Sequence, residues 1–153
     1  MKLAEILTPN RVQLDSDATS KKRVLESASE LLAECDESLS PRAVFDCLIA
    51  REKLGSTGLG HGVAIPHGRV AGLDKTVGVF IRVPRGIDFD APDNQPVDLV
   101  FALLVPEEST EEHLEVLAKI ASFFDSEEYR KALRGEKSPQ KARELICRSD
   151  SKG

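Results

Sequence analysis

The chain of 153 residues contains no tryptophan, one tyrosine and one methionine, and aromatic residues make up only 5% of it. Single-stranded nucleic acids are commonly held by stacking bases on aromatic rings, and this sequence offers almost no such platform. An excess of positive charge is also missing. Lys and Arg number 21 against 26 Asp and Glu, giving a formal net charge of −5. The longest basic run is "KKR" at 21–23. Nucleic-acid binders concentrate cations on one face, so no nucleic-acid partner is expected. No apolar run approaches the roughly 20 residues of a membrane-spanning helix, so no membrane insertion is expected. The opening "MKLAEILTPN" lacks the apolar core of a signal peptide. Cys35, Cys47 and Cys147 form no C-x-x-C pair and are odd in number. They read as small apolar residues in a reducing compartment, which points to a cytoplasmic location. Length and a 41% hydrophobic content fit one domain over 1–153, ending in a short polar tail at 149–153.

What is present is a clear alternation of periods. "RVQLD" reads as a short strand. Val24, Leu25, Ala28, Leu31, Leu32 and Cys35 recur at helical spacing, which predicts an amphipathic helix over 19–36. "SPRAVFDCLIAREKLG" predicts a second helix, with Ser40 as N-cap, Pro41 at its first position and Gly55 at its stop. In "TVGVFIRV" the period drops to two, which predicts a strand. "GIDFD" reads as a short edge strand and "APDNQP" as a loop. "VDLVFALLV" is apolar nearly throughout, as in a central strand covered on both faces. A long helix follows, with Ser109 and Glu112 at capping-box spacing and Leu114, Leu117, Ala118, Ala121 and Phe124 as its apolar stripe. Two shorter helices are expected near 126–133 and 138–148. The fold class is α/β: a three-layer sandwich, with helices on both faces of a mixed central sheet.

The chemistry concentrates in "GSTGLGHGVAIPHGR" at 55–69, which holds two of the three histidines. Pro66 fixes its own φ and keeps Ile65 extended. "VAIPHG" therefore reads as a short strand delivering His67 at its end, with Gly68 turning the chain away. His61, between two glycines, reads as a solvated side chain with nothing to hold it. Upstream, Val44, Cys47, Leu48 and Arg51 fall at i, i+3, i+4 and i+7, so Arg51 extends an apolar stripe in the last turn before the glycine segment. That suits a cation at a helix C-terminus. It equally suits a planar fork aimed at phosphate oxygens. His113 sits one turn into the helix after the central strand, a usual place for a site residue in α/β folds.

Several motifs are absent. No Gly-Lys-Ser/Thr makes a P-loop, the glycine spacing misses the dinucleotide fingerprint, and "LGSTG" is not a G-x-S-x-G elbow. No HExxH or H-x-E supports a metal, although on residue pattern alone a site from His61, His67 and His113 stays open. The residues narrow the site to a positioned histidine with an arginine and a second histidine nearby.

"REKLGSTGLGHGVAIPHGR" resembles the signature of EIIA domains of the phosphoenolpyruvate-dependent phosphotransferase system, fructose/mannitol class. "GIDFDAPDNQPVDLVFALLVPEE" followed by "HLEVLAKIA" is most similar to the stand-alone nitrogen-regulatory branch. The resemblance covers nearly the whole chain. It implies that His67 is phosphorylated on Nε2 by a phosphorylated HPr- or NPr-type carrier protein. It implies that His113 and Arg51 stabilise the phosphoryl group and that Thr57 supports the phosphate pocket. No metal and no cofactor are called for. Downstream partners would be regulated proteins, potassium transport or sensor proteins among them. The alternatives are a fructose- or mannitol-type EIIA feeding a sugar-permease EIIB, and a non-catalytic anion-binding regulatory module.

Overall fold

A computed structural model of the chain describes residues 2–108 and 111–148, and of 111–113 only the backbone. Two long strands, β5 (Val77–Ile87) and β6 (Val97–Pro106), run antiparallel at the centre of a mixed six-stranded sheet. Outside β5, β1 (Val12–Gln13) pairs in parallel. Beside β6 lie β3 (Val63–Ala64) and β4 (His67–Val70), both parallel to it. The outermost strand, β2 (Gly58–Gly60), turns back antiparallel onto β3.

The period of two assigns the layers. Val77, Val79, Ile81, Val100, Ala102 and Leu104 point into one core. Helices α2 (Lys21–Ala33) and α3 (Pro41–Lys53) cover that face. Phe80, Leu99, Phe101, Leu103 and Val105 point into the other. It is closed by α1 (Leu3–Ile6), α4 (Glu111–Phe124), α5 (Glu127–Gly135) and α6 (Pro139–Cys147). The expected three-layer α/β sandwich is the one observed. Ser20, Ser40, Ser126 and Ser138 each accept a hydrogen bond from the backbone N–H three residues on, so four helices begin on a serine cap. The capping box expected at Ser109 and Glu112, and the tail at 149–153, lie outside the described residues. Among the described residues no helix is long and apolar enough to cross a membrane.

Four local expectations need correction. "GIDFD" is not a separate edge strand. Gly86 and Ile87 finish β5, which rejoins β6 at Val97 after a register shift that follows Arg82. The buried face of α4 is not the expected stripe. Val116, Ile120, Phe123 and Phe124 are buried, whereas Leu114 is 63% exposed. This helix is apolar over a wide arc, so its period does not say which edge meets the sheet. His67 does not end a strand either. Pro66 has no N–H for the ladder, so the strand lapses after Ala64 and resumes with His67 as the first residue of β4. Gly68 makes no turn. It sits inside β4, where a Cβ would run into Cys47 Sγ of α3, so glycine here permits the close approach of helix and strand.

Candidate functional site

His67 enters β4 with its backbone fixed on both sides. The Leu103 N–H donates to the Pro66 carbonyl at 2.9 Å, and the Ile65 N–H donates to the Thr57 carbonyl at 3.1 Å. The interruption at Pro66 leaves the Ile65 carbonyl available to the imidazole. Nδ1 of His67 lies 2.7 Å from that oxygen. A carbonyl can only accept, so Nδ1 carries the proton and Nε2 holds a free lone pair.

Burial pushes the His67 pKa below the ordinary 6.5. The Ile65 bond opposes that shift, the positive charge of Arg51 reinforces it, and the carboxylate of Glu52 opposes it. The net direction is downward, so the ring is neutral near pH 7. Half-buried, His67 borders two open depressions, of about 380 and 260 Å³, and Arg51 and Leu117 line both with it.

Arg51 stands in the last turn of α3, and its Nη1 donates to the Gly55 carbonyl at 2.9 Å. One N–H caps its own helix, while the guanidinium borders His67. The site gains a second feature from the next residue. Val44, Leu48 and Glu52 follow one another at intervals of four and are all buried. The Glu52 carboxylate accepts from the Thr57 hydroxyl, and from the Thr57 N–H at 3.3 Å. Lys21 Nζ of α2 lies 2.7 Å from Glu52 Oε2 and 4.7 Å from the centre of the Phe89 ring. Thr57 is thus buried and committed to Glu52, while it also lines the smaller depression. Glu52 and Lys21 were not among the residues expected at the site. The spacing Val44, Leu48, Glu52 was the available signal for the first. Nothing local marks Lys21, which arrives from another helix.

The backbone of His113 lies in the first turn of α4, and its side chain lies outside the described residues. Its neighbour Leu114 lines the larger depression with His67 and Arg51, and Leu117 and Ala121 continue that edge of the helix. The apolar edge that α4 does not bury therefore faces this site. His61 is placed elsewhere. It turns the β2–β3 hairpin with φ 56°, and its backbone is held rather than loose. Its N–H donates to Asp93 at 3.0 Å and its carbonyl accepts from Arg134 at 2.5 Å. Gly62, at φ +81°, is required there, because a Cβ would collide with Arg134 Nη2 and Asp98 Oδ1.

Residues 5–149 match the family described as "Phosphoenolpyruvate-dependent sugar phosphotransferase system, EIIA 2". The chain is 46% identical to a nitrogen regulatory protein of Pseudomonas aeruginosa, over 88% of this chain and 87% of that one. The crystal structure of nitrogen regulatory protein IIA-Ntr from Neisseria meningitidis superposes with a TM-score of 0.90 at 51% identity, covering 94% of this chain and 98% of that one. IIA mannitol from Escherichia coli gives a TM-score of 0.75 at 26% identity, covering 91% and 97%. The chain belongs to the EIIA-2 family of the phosphoenolpyruvate-dependent phosphotransferase system.

Proposed function

We propose that the chain is a phosphoryl carrier that accepts phosphate on Nε2 of His67 from a phosphorylated HPr- or NPr-type protein and acts as a phosphorylation-dependent regulator. The observation that carries this reading is the 2.7 Å contact between His67 Nδ1 and the Ile65 carbonyl. It turns the ring so that one nitrogen is a proton donor to the protein and the other a nucleophile. In the transfer, the Nε2 lone pair forms a bond to phosphorus as the donor histidine's N–P bond breaks, and the donor nitrogen regains its electron pair. Phosphoryl transfer asks the protein mainly for positioning and charge stabilisation. Arg51 supplies a permanent positive charge and further N–H groups beside the ring. His113, from the start of α4, supplies one more donor to the equatorial oxygens.

A regulatory role is favoured over delivery to a sugar permease because identity to the nitrogen-regulatory relatives, 46% and 51%, far exceeds the 26% to mannitol IIA. The work of such a carrier is done in the cytoplasm. A phosphoryl group adds roughly −1.5 to −2 charge to a chain already at −5. Partners contacting the rim then distinguish the two forms by affinity.

The test is mass spectrometry after incubation with phosphoenolpyruvate, Enzyme I and an HPr-type carrier. One phosphoryl group is gained, lost in mild acid and kept in mild alkali, and absent from His67→Ala. A label that withstands acid, or that remains in His67→Ala, overturns the assignment. For regulation, His67→Asp and His67→Ala serve as capture baits. Equal recovery of the same proteins by both overturns the switch.

A further inference from the structure

An open cleft of about 720 Å³ lies at the turn of the β2–β3 hairpin, and none of its wall residues borders the depressions at His67. Its walls are the His61–Gly62 turn, the Pro84–Gly86 stretch where β5 shifts register, the loop at Asp93–Pro96, and α5. The volume falls in the range of small-molecule sites.

Its charge is unusual for this chain. Four permanent cations, Arg85, Arg130, Lys131 and Arg134, face three carboxylates, Asp93, Asp98 and Glu127. The wall is thus positive by one in a chain at −5. Two of the three carboxylates are committed, and the third, Glu127, is exposed at the start of α5. Asp98 accepts two hydrogen bonds from Arg134, at 2.9 and 3.0 Å. The oxygens of Asp93 accept the backbone N–H groups of Gln95 and His61, at 3.1 and 3.0 Å.

Arg130 is the decisive residue. It is 7% exposed. Its guanidinium makes one hydrogen bond, from Nη1 to the Phe124 carbonyl at 2.8 Å, and pairs with no carboxylate among the described residues. Burying a charge without a counter-charge is costly. A guanidinium can donate five hydrogen bonds, and most of these donors lack a protein acceptor. Arg85 and Lys131, both exposed, stand in the same wall and likewise have no ion pair among the described residues.

We propose that this cavity binds a small oxyanion, the phosphate or carboxylate group of a metabolite, with Arg130 at its floor and Arg85 and Lys131 at its mouth. His61 lies in the wall, so the two histidines of the glycine segment belong to two different sites joined by one hairpin. The proposal does not rest on the carrier reading, because no wall residue takes part in it.

The test is an NMR titration of the ¹⁵N-labelled full chain, with inorganic phosphate in one arm and succinate in the other. Saturable shifts are expected at the amides of Gly62, Gly86 and Lys131 in at least one arm. The tighter arm distinguishes phosphate from carboxylate as the natural group. Arg130 is buried, so its replacement risks unfolding. The exposed pair Arg85→Ala/Lys131→Ala is used instead and should weaken binding by about tenfold or more, as expected for lost charge-assisted hydrogen bonds. Three results overturn the proposal: no saturable shift at these amides in either arm, shifts confined to Gly58, Leu59 and Leu117 beside His67, or undiminished binding by the double variant.

Discussion

Lys21 Nζ stands 2.7 Å from Glu52 Oε2, with the lysine side chain 19% exposed and the glutamate 2%. This pair crosses from α2 to α3 and fixes the carboxylate that receives the hydroxyl and N–H of Thr57. Removing one partner of a buried pair leaves the other uncompensated, at about 3–5 kcal/mol. Lys21 retains some solvent, the Phe89 ring at 4.7 Å and Asp90 at 3.8 Å. Glu52→Ala should therefore fall at the lower end, near ~3 kcal/mol. Lys21→Met should cost more than Glu52→Ala, because it strands the more deeply buried charge. Urea unfolding of the three proteins measures this. A loss under about 1 kcal/mol for Glu52→Ala, the size of an exposed pair, would show that the pair does not brace the site.

The protonation of His67 gives a second prediction. Its pKa is held below 6.5, first by burial, against the Ile65 hydrogen bond, then by Arg51, against Glu52. An NMR titration of the imidazole should place its midpoint below 6.5. Arg51→Ala removes a lowering influence and should move the midpoint up. Glu52→Gln removes a raising one and should move it down. Linkage sets the sign for stability. Above 6.5 both folded and unfolded chains hold His67 neutral. As pH falls below 6.5 the unfolded chain takes the proton first, so folding loses free energy until the folded pKa is passed. His67→Ala should therefore unfold less steeply with acid in that window. An identical pH slope for both proteins would contradict the assigned direction.

The fold was largely readable because its two periods are clean. The alternation of Val77, Val79 and Ile81 and the unbroken apolar run of β6 place a sheet between two cores. What was not readable depends on where elements meet. The width of the apolar arc on α4 hides which edge is buried, and the exposed Leu114 is the result. The burial of Glu52 is not legible within its motif, because its acceptor role depends on Thr57 and its charge on Lys21 from another helix. His61 looked unrestrained because Asp93 and Arg134, which hold its backbone, lie far along the chain. The positions of His67 and Arg51 at one site were legible from local spacing. The Ile65 carbonyl as partner required the strand break at Pro66 to be known.

Arg51 and His113 should separate in a time course of phosphoryl incorporation. Arg51 carries a permanent charge and a planar fork, so Arg51→Ala should slow labelling and also hasten loss of the label. Arg51→Lys should recover only part of this. His113, when neutral, offers a single N–H. His113→Ala should slow transfer by about a hundredfold, the scale of one lost donor, and still reach a full plateau. His113→Gln should be faster than His113→Ala, since an amide can donate. If His113→Ala never labels while Arg51→Ala labels normally, the roles are reversed and His113 becomes the candidate acceptor.

Gly62 and Gly72 provide an internal control for the hairpin. Both have φ +81°, so an alanine at either meets the same backbone strain, about 1–2 kcal/mol. At Gly72 nothing lies within 4 Å of the added Cβ. At Gly62 the same Cβ would strike Arg134 Nη2 and, at 2.6 Å, Asp98 Oδ1. Arg134 is itself bound to Asp98 and to the His61 carbonyl, so neither group yields without breaking a charge-assisted bond, worth about 1.5–3 kcal/mol. Gly72→Ala should thus cost only the strain, and Gly62→Ala about 2 kcal/mol more. Thermal unfolding of both variants gives the difference directly. Restoring room by Arg134→Ala in the Gly62→Ala background should recover part of the excess cost, because the contact with Arg134 is removed and Asp98, no longer held by it, can turn away, while the strain remains. If the two alanine variants unfold together, the Arg134–Asp98 clamp is not closed over Gly62, and the near wall of the neighbouring cavity is less rigid than its geometry implies.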